Sequence, residues 1–152
     1  MNYLNTMDIR KILFAVVAML AITACKPDCV FSPPLTSTIK FKNSCAAEVA
    51  ILSDNNANVI TTPIGETKSV KVVGSIYTPS EVLKVKGIAG GSIIFGSAAG
   101  NDAVVLQVES YARLLDDAVY EEVESKGRSI TYLYTFTDAD YQYALENGQR
   151  LE

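Results

Sequence analysis

Short stretches in which apolar and polar residues alternate dominate the chain from Ser37 onward. In TIKFKN, Ile39 and Phe41 alternate with Lys40 and Lys42. Successive side chains of a β-strand point to opposite faces, so a period of two buries one face of the strand and exposes the other. The pattern therefore predicts half-buried strands in this part of the chain.

Turn residues divide this region into several predicted strands. AEVAILSD and NVITT are joined by the turn-rich DNNAN, which predicts a hairpin. The remaining strands are predicted in SVKVVG, EVLKVKG, SIIF, AVVLQVE and SITYLYTF. The strand SIIF lies inside GIAGGSIIFGSAAGND, whose five glycines raise the question of a phosphate-binding loop. The spacing matches neither GxxxxGK[ST] nor GxGxxG before a helix, so these glycines indicate turns and bulges.

One helix is predicted between the last two of these strands. DDAVYEEVESKG is long enough for two or three turns, which would begin at Asp116 or Asp117 and end at Gly127. Aspartate is favoured as the residue before a helix, and glycine as the residue after it.

A second short helix is predicted over YQYALEN. Thr137 and Asp140 have the spacing of a capping box, and Gly148 suits the position that follows a helix. Many short strands with frequent turns predict that residues 37–152 form a mainly β domain, an antiparallel immunoglobulin-like β-sandwich with one or two short helices. A parallel βαβ arrangement is disfavoured, because helices do not alternate with the strands.

The N-terminal segment differs in character from the rest of the chain. Arg10 and Lys11 stand directly before ILFAVVAMLAITA, an uncharged apolar run that ends at Ala24. A short basic region followed by an apolar run of this length is typical of a secretory signal, and the run is too short for a membrane-spanning helix. Either Met1 or Met7 serves as the start of such a leader.

Residues Ile22, Thr23, Ala24 and Cys25 resemble the lipobox of bacterial lipoprotein precursors. The resemblance implies a diacylglyceryl group on the sulfur of Cys25 and cleavage just before it. Residues 1–24 would then be the signal peptide, and residues 25–36 the lipidated N-terminus and tether. Lipid chains would hold the protein on a membrane of the bacterial cell envelope. Lys26, in place of the aspartate that retains such proteins in the inner membrane, favours the outer membrane, on either its periplasmic or its surface side.

A lipid on Cys25 leaves two thiols, at Cys29 and Cys45, in a protein exported to an oxidising compartment. This predicts a disulfide between them, with two unpaired cysteines as the alternative. Pro33 and Pro34 favour a short, stiff spacer before the domain.

Charge and residue types exclude several functions. A formal net charge of −4 argues against a nucleic-acid partner, which requires a concentrated basic surface. The chain has no histidine, which excludes Ser-His-Asp and Cys-His catalysis and removes the usual zinc ligands. We predict no catalytic residue, no metal and no cofactor. Carboxylate catalysis or calcium binding would have to use the acidic set, for which a solvated surface is favoured: Glu109, Asp116, Asp117, Glu121, Glu122 and Glu124.

Four tyrosines are the candidate ligand or partner face: Tyr132, Tyr134, Tyr141 and Tyr143. The alternative is that they belong to the core. The sequence favours a non-enzymatic envelope lipoprotein whose sandwich binds or scaffolds another envelope protein. The alternatives are a periplasmic inhibitor or immunity protein that inserts GIAGGSIIF into an enzyme cleft, and a surface lipoprotein that binds glycan or peptide; an enzyme ranks last.

Overall fold

The computed structural model describes residues 32–97 and 102–151, and a single compact unit runs from Pro33 onward. The predicted signal peptide, Cys25 and Cys29 lie outside the described residues. No helix within those residues is long and apolar enough to cross a membrane.

The described residues form two β-sheets, which confirms the prediction of a mainly β, two-sheet domain. Sheet A has the order β4-β1-β8-β7, and sheet B the order β3-β2-β5-β6-β9. The strands are β1 (Thr36–Asn43), β2 (Val49–Leu52), β3 (Val59–Thr62), β4 (Thr67–Val73), β5 (Ser92–Phe95), β6 (Val104–Gln107), β7 (Glu121–Lys126), β8 (Ser129–Phe136) and β9 (Gln149–Arg150). The α-helices are α1 (Pro79–Val85), α2 (Ala112–Leu115) and α3 (Asp138–Asn147), and 3-10 turns cover Val108–Ser110 and Asp117–Val119.

Period-two burial holds where the sequence predicted it. Ile39 and Phe41 on β1 are fully buried, and Lys40 between them is exposed. Phe41 and Phe136 of sheet A stack with ring centroids 6.2 Å apart, and Phe136 meets Phe95 of sheet B edge-on at 5.9 Å. Aromatic contacts of this kind add to the free energy gained by burying the rings, so they help to hold the two sheets together.

The prediction of a wholly antiparallel sandwich is wrong at one pair of strands. β1 pairs with β8 in parallel, from Thr36 beside Ser129 to Asn43 beside Phe136. The other pairings are antiparallel, and they include the predicted hairpin of β2 and β3. Parallel neighbours need a long connection, and here the chain forms four of the five strands of sheet B between them.

The strand predicted in EVLKVKG is wrong, because this segment lies in helix α1. Thr78 caps the helix: its backbone N–H donates to Glu81 at 2.8 Å, and its hydroxyl accepts from the N–H of Glu81. Pro79 occupies the first turn, where its missing N–H costs nothing. Burial of Pro79, Val82 and Leu83 follows the helical spacing, not the alternation that suggested a strand.

The helix predicted in DDAVYEEVESKG is also wrong. Asp116 does cap a turn, but the turn is a short 3-10 segment, and strand β7 follows it. β7 pairs with β8 through a tight turn in which Gly127 has a φ of +58°, a conformation that favours glycine. Pairing with the edge of sheet A therefore overrides the helical preference of these glutamate-rich residues.

The second predicted helix is confirmed as α3, together with its caps. The N–H of Thr137 donates to Asp140 Oδ2 at 2.6 Å, and Gly148 follows the last helical turn. With α1 and α2, the described residues contain three α-helices, where one or two were predicted.

Gly91 of the glycine-rich segment lies where the backbone of β2 approaches too closely to leave room for a side chain. A Cβ on Gly91 would lie 1.9 Å from the carbonyl oxygen of Leu52, whereas one on Gly90 would meet nothing closer than 3.6 Å. We expect Gly91→Ala to lower the free energy of unfolding by about 2 kcal/mol, because β2 must move away from β5. Gly90→Ala is the matched control, for which chemical denaturation should show almost no change. Equal effects of the two substitutions would contradict the close approach.

Candidate functional site

The four tyrosines predicted as a face do not form one surface. Tyr134 is 1% exposed and belongs to the core, and Tyr141 stacks on the buried Phe95 with centroids 6.0 Å apart. Tyr132 is half-buried on sheet A, where burial and then the nearby charges of Glu122 and Asp117 raise its pKa. Only Tyr143 is exposed, at 39%, and it borders a surface cleft. Tyr134 and Tyr141 therefore pack with the core, whereas Tyr143 is exposed at the cleft.

A buried carboxylate, Asp140, lies behind this cleft with 1% of its surface exposed. Its Oδ1 accepts hydrogen bonds from the Tyr111 hydroxyl and from the Arg113 guanidinium, the latter at 2.6 Å. Its Oδ2 accepts from the backbone N–H of Thr137 at 2.6 Å and from the Thr137 hydroxyl at 3.0 Å. A buried charge is tolerated when it is paired and hydrogen-bonded in this way.

Three parts of the fold meet at this carboxylate. β8 ends at Phe136, and the capping box then places Asp140 in the first turn of α3. The chain leaves β6 through a 3-10 turn and enters α2, which brings Tyr111 and Arg113 to the same point. The hydroxyls of Tyr134 and Tyr111 lie 3.1 Å apart, so sheet A is joined to the cluster as well.

The protonation states suit hydrogen-bond donors. Burial raises the pKa of Tyr111 far above its ordinary value, and hydrogen bonds to Asp140 and Tyr134 raise it further. Burial also raises the pKa of Tyr134, to about 12. Partial burial alone would lower the pKa of Arg113, but its interactions with Tyr134, Asp140 and Tyr111 together outweigh burial and raise that pKa. Near neutral pH both phenols are therefore neutral donors, and the guanidinium carries its full charge.

The cleft itself has a volume of about 300 Å³. Tyr143 and Tyr111 form one wall with ring centroids 5.4 Å apart, and the Tyr143 hydroxyl donates to the carbonyl of Ser110 at 3.3 Å. Two small residues, Ala112 and Ala139, keep the cleft open. Arg113 is 45% exposed, so the cleft combines one accessible positive charge with aromatic and methyl surface.

Sequence reasoning missed this cluster as a site. Asp140 was recognised only as a helix cap, and Tyr111 and Arg113 stand 29 and 27 residues before it in the chain. The capping box was a usable signal for Asp140, because its position on α3 fixes where the carboxylate lies.

Cys45 is a free, buried thiol in the structure, 2% exposed. Its Sγ lies 2.9 Å from Asn43 Oδ1 and 3.2 Å from the carbonyl oxygen of Ala47, and burial raises its pKa. The structure contains no disulfide within its described part. Because Cys29 lies outside that part, the pairing of Cys29 with Cys45 stays a prediction.

The acidic residues proposed as calcium ligands serve other contacts or face solvent. Asp117 accepts from the backbone N–H of Ser80 at 2.7 Å and from its hydroxyl at 3.2 Å, which joins the second 3-10 turn to α1. Glu121, Glu122 and Glu124 are exposed on β7. Across residues 32–97 and 102–151, no three potential metal-ligating side chains come together.

Comparison with known proteins adds no relative from which a function can be transferred. No protein-family model, no curated protein and no solved structure matches this chain. The immunoglobulin-like topology therefore stays a prediction. The structure itself shows a two-sheet, mainly β domain with a cleft backed by a buried aspartate.

Proposed function

We propose that this chain is a lipid-anchored protein of the bacterial cell envelope, held on the outer membrane, whose sandwich binds another envelope protein without catalysing a reaction. The observation that carries the anchoring is the order of Ile22, Thr23, Ala24 and Cys25 directly after an apolar run. Two or three acyl chains on this N-terminus would hold the domain stably, whereas one chain binds only reversibly.

The path of β1 and β8 relates the cleft to the point where the chain enters sheet A. The chain enters sheet A beside the turn between β7 and β8, where Arg128 Nε donates to the carbonyl of Pro33. β8 then runs for eight residues, roughly 26 Å, before Thr137 begins the segment that holds the cleft. The cleft thus lies at the end of sheet A opposite the point where the chain enters the sheet.

The segment proposed to insert into an enzyme cleft, GIAGGSIIF, contributes apolar side chains to the core. Three residues of GIAGGSIIF are fully buried in the core, namely Ile88, Ile93 and Phe95. A segment whose apolar side chains build the core does not present them to an enzyme cleft. The peptide-binding alternative keeps a specific feature, because the cleft at Tyr143 is open to solvent.

Photo-crosslinking in intact cells tests the proposal. A photoreactive amino acid would replace Ala139, which is exposed at the cleft, and in a matched strain it would replace Lys126, which is exposed near the tether. We expect one reproducible protein adduct from position 139 and none from position 126. Adducts of equal yield at both positions, or none at position 139, would contradict a partner site at the cleft.

A further inference from the structure

Arg113 is held in the cleft by a carboxylate that is itself fixed. Its NH1 group lies 2.6 Å from Asp140 Oδ1, and Asp140 is 1% exposed and anchored by Tyr111 and Thr137. The arginine side chain is nevertheless 45% exposed. A guanidinium has five N–H donors in a planar fork, so orienting it through one of them leaves others accessible from the cleft.

We propose that the cleft binds a carboxylate group of a peptide, through Arg113, with a small apolar side chain lying against Tyr143. This proposal rests on the proposed function in one respect only, namely that the partner is a protein. A planar carboxylate matches the edge of a guanidinium and accepts two parallel hydrogen bonds from it.

The charges at the cleft favour a single negative charge over other ligands. Arg113 and Asp140 together carry no net charge, and Asp140 lies directly behind the guanidinium. A cationic ligand would meet the exposed guanidinium first. A phosphate dianion would bring a second negative charge towards the buried aspartate, where the low dielectric strengthens repulsion. A carboxylate carries a single negative charge, so Arg113 attracts it and Asp140 repels it less strongly than it repels a phosphate dianion.

The size and walls of the cleft define what accompanies the carboxylate. About 300 Å³ is at the lower end for ligand sites, which suits one terminal residue better than a large ligand. Tyr143 supplies an aromatic face, and Ala112 and Ala139 supply methyl groups. A short side chain next to the carboxylate therefore fills the remaining space without burying a polar group.

NMR titration of the full-length protein in detergent micelles tests this inference. The probes are N-acetyl-trialanine with a free C-terminal carboxylate, the same peptide as its C-terminal amide, and methyl phosphate. We expect saturable shifts at Arg113 and Tyr143 with the acid, and at least tenfold weaker binding of the amide and of methyl phosphate. Equal binding of acid and amide, stronger binding of methyl phosphate, or no saturable shift with the acid would overturn the inference.

Three variants sharpen the test. Arg113→Gln should remove acid binding, and Arg128→Gln, which lies near the tether, should leave it intact. Because Arg113 also pairs with Asp140, Tyr143→Ala provides a second variant that keeps this pair, and it should weaken binding of the acid severalfold. Unchanged binding of the acid in Arg113→Gln, or in Tyr143→Ala, would also overturn the inference. Purified protein needs no lipid or cellular partner for this measurement, so its failure is distinguishable from failure of the proposed anchoring.

Discussion

Asp140→Ala is expected to lower the free energy of unfolding by about 3–4 kcal/mol. The substitution leaves the hydroxyl of Tyr111 and the N–H of Thr137 without their acceptor, and it leaves Arg113 without its counter-ion. Because Arg113 is half exposed, solvent screens part of this loss, and the estimate stays at the lower end for a broken buried pair. Chemical denaturation should show the change directly, and Tm should fall by roughly 10–15 °C.

Asp138→Ala is the matched control in the same turn of α3. Asp138 is exposed, and its Oδ1 accepts a hydrogen bond of 2.8 Å from the backbone N–H of Ala46. Its loss should cost less than about 1 kcal/mol. Asp140→Asn should fall between the two, because the amide keeps the shape and one acceptor but loses the charge. Equal destabilisation by Asp138→Ala and Asp140→Ala would show that Asp140 is only one cap residue among others.

Cys25→Ser is expected to abolish lipid attachment. Serine lacks the sulfur on which the resemblance to lipoprotein precursors places the diacylglyceryl group, and the same resemblance places cleavage after that modification. The variant should therefore incorporate no radiolabelled palmitate and should keep residues 1–24. Its apolar leader can still hold it at a membrane, so lipid label and mass are the informative readouts, and cell fractionation is not.

Cys29→Ser is the control for this experiment, because it removes a nearby cysteine and leaves the lipobox residues untouched. It should label with palmitate as the unaltered chain does. Retained label in Cys25→Ser, or lost label in Cys29→Ser alone, would contradict attachment at Cys25.

Local patterns predicted those elements whose cause is local. The alternation around Ile39 and Phe41 is a property of one strand facing a core, and it identified β1 correctly. The caps Thr137 and Gly148 are determined by hydrogen bonds within a few residues, and they located α3. At α1 two local signals conflicted, and the capping box at Thr78 prevailed over apparent alternation.

Elements that depend on contacts with residues far away in the sequence were not predicted. The glutamates of β7 prefer a helix in isolation, and only β8 beside them makes a strand. The parallel pairing of β1 with β8 joins residues such as Ile39 and Tyr132, between which the chain builds most of the domain. The site depends on the same kind of contact, because Tyr111 and Arg113 reach Asp140 only after α2 and α3 have packed together.

Intact-mass spectrometry of the protein extracted from membranes measures in one step the covalent state of the N-terminus, on which the proposed anchoring depends. We predict a chain that begins at Cys25 and carries the added mass of a diacylglyceryl group, with or without an acyl group on its new amino terminus. A chain that begins at Met1 or Met7, or one that begins at Cys25 without added lipid mass, would contradict it.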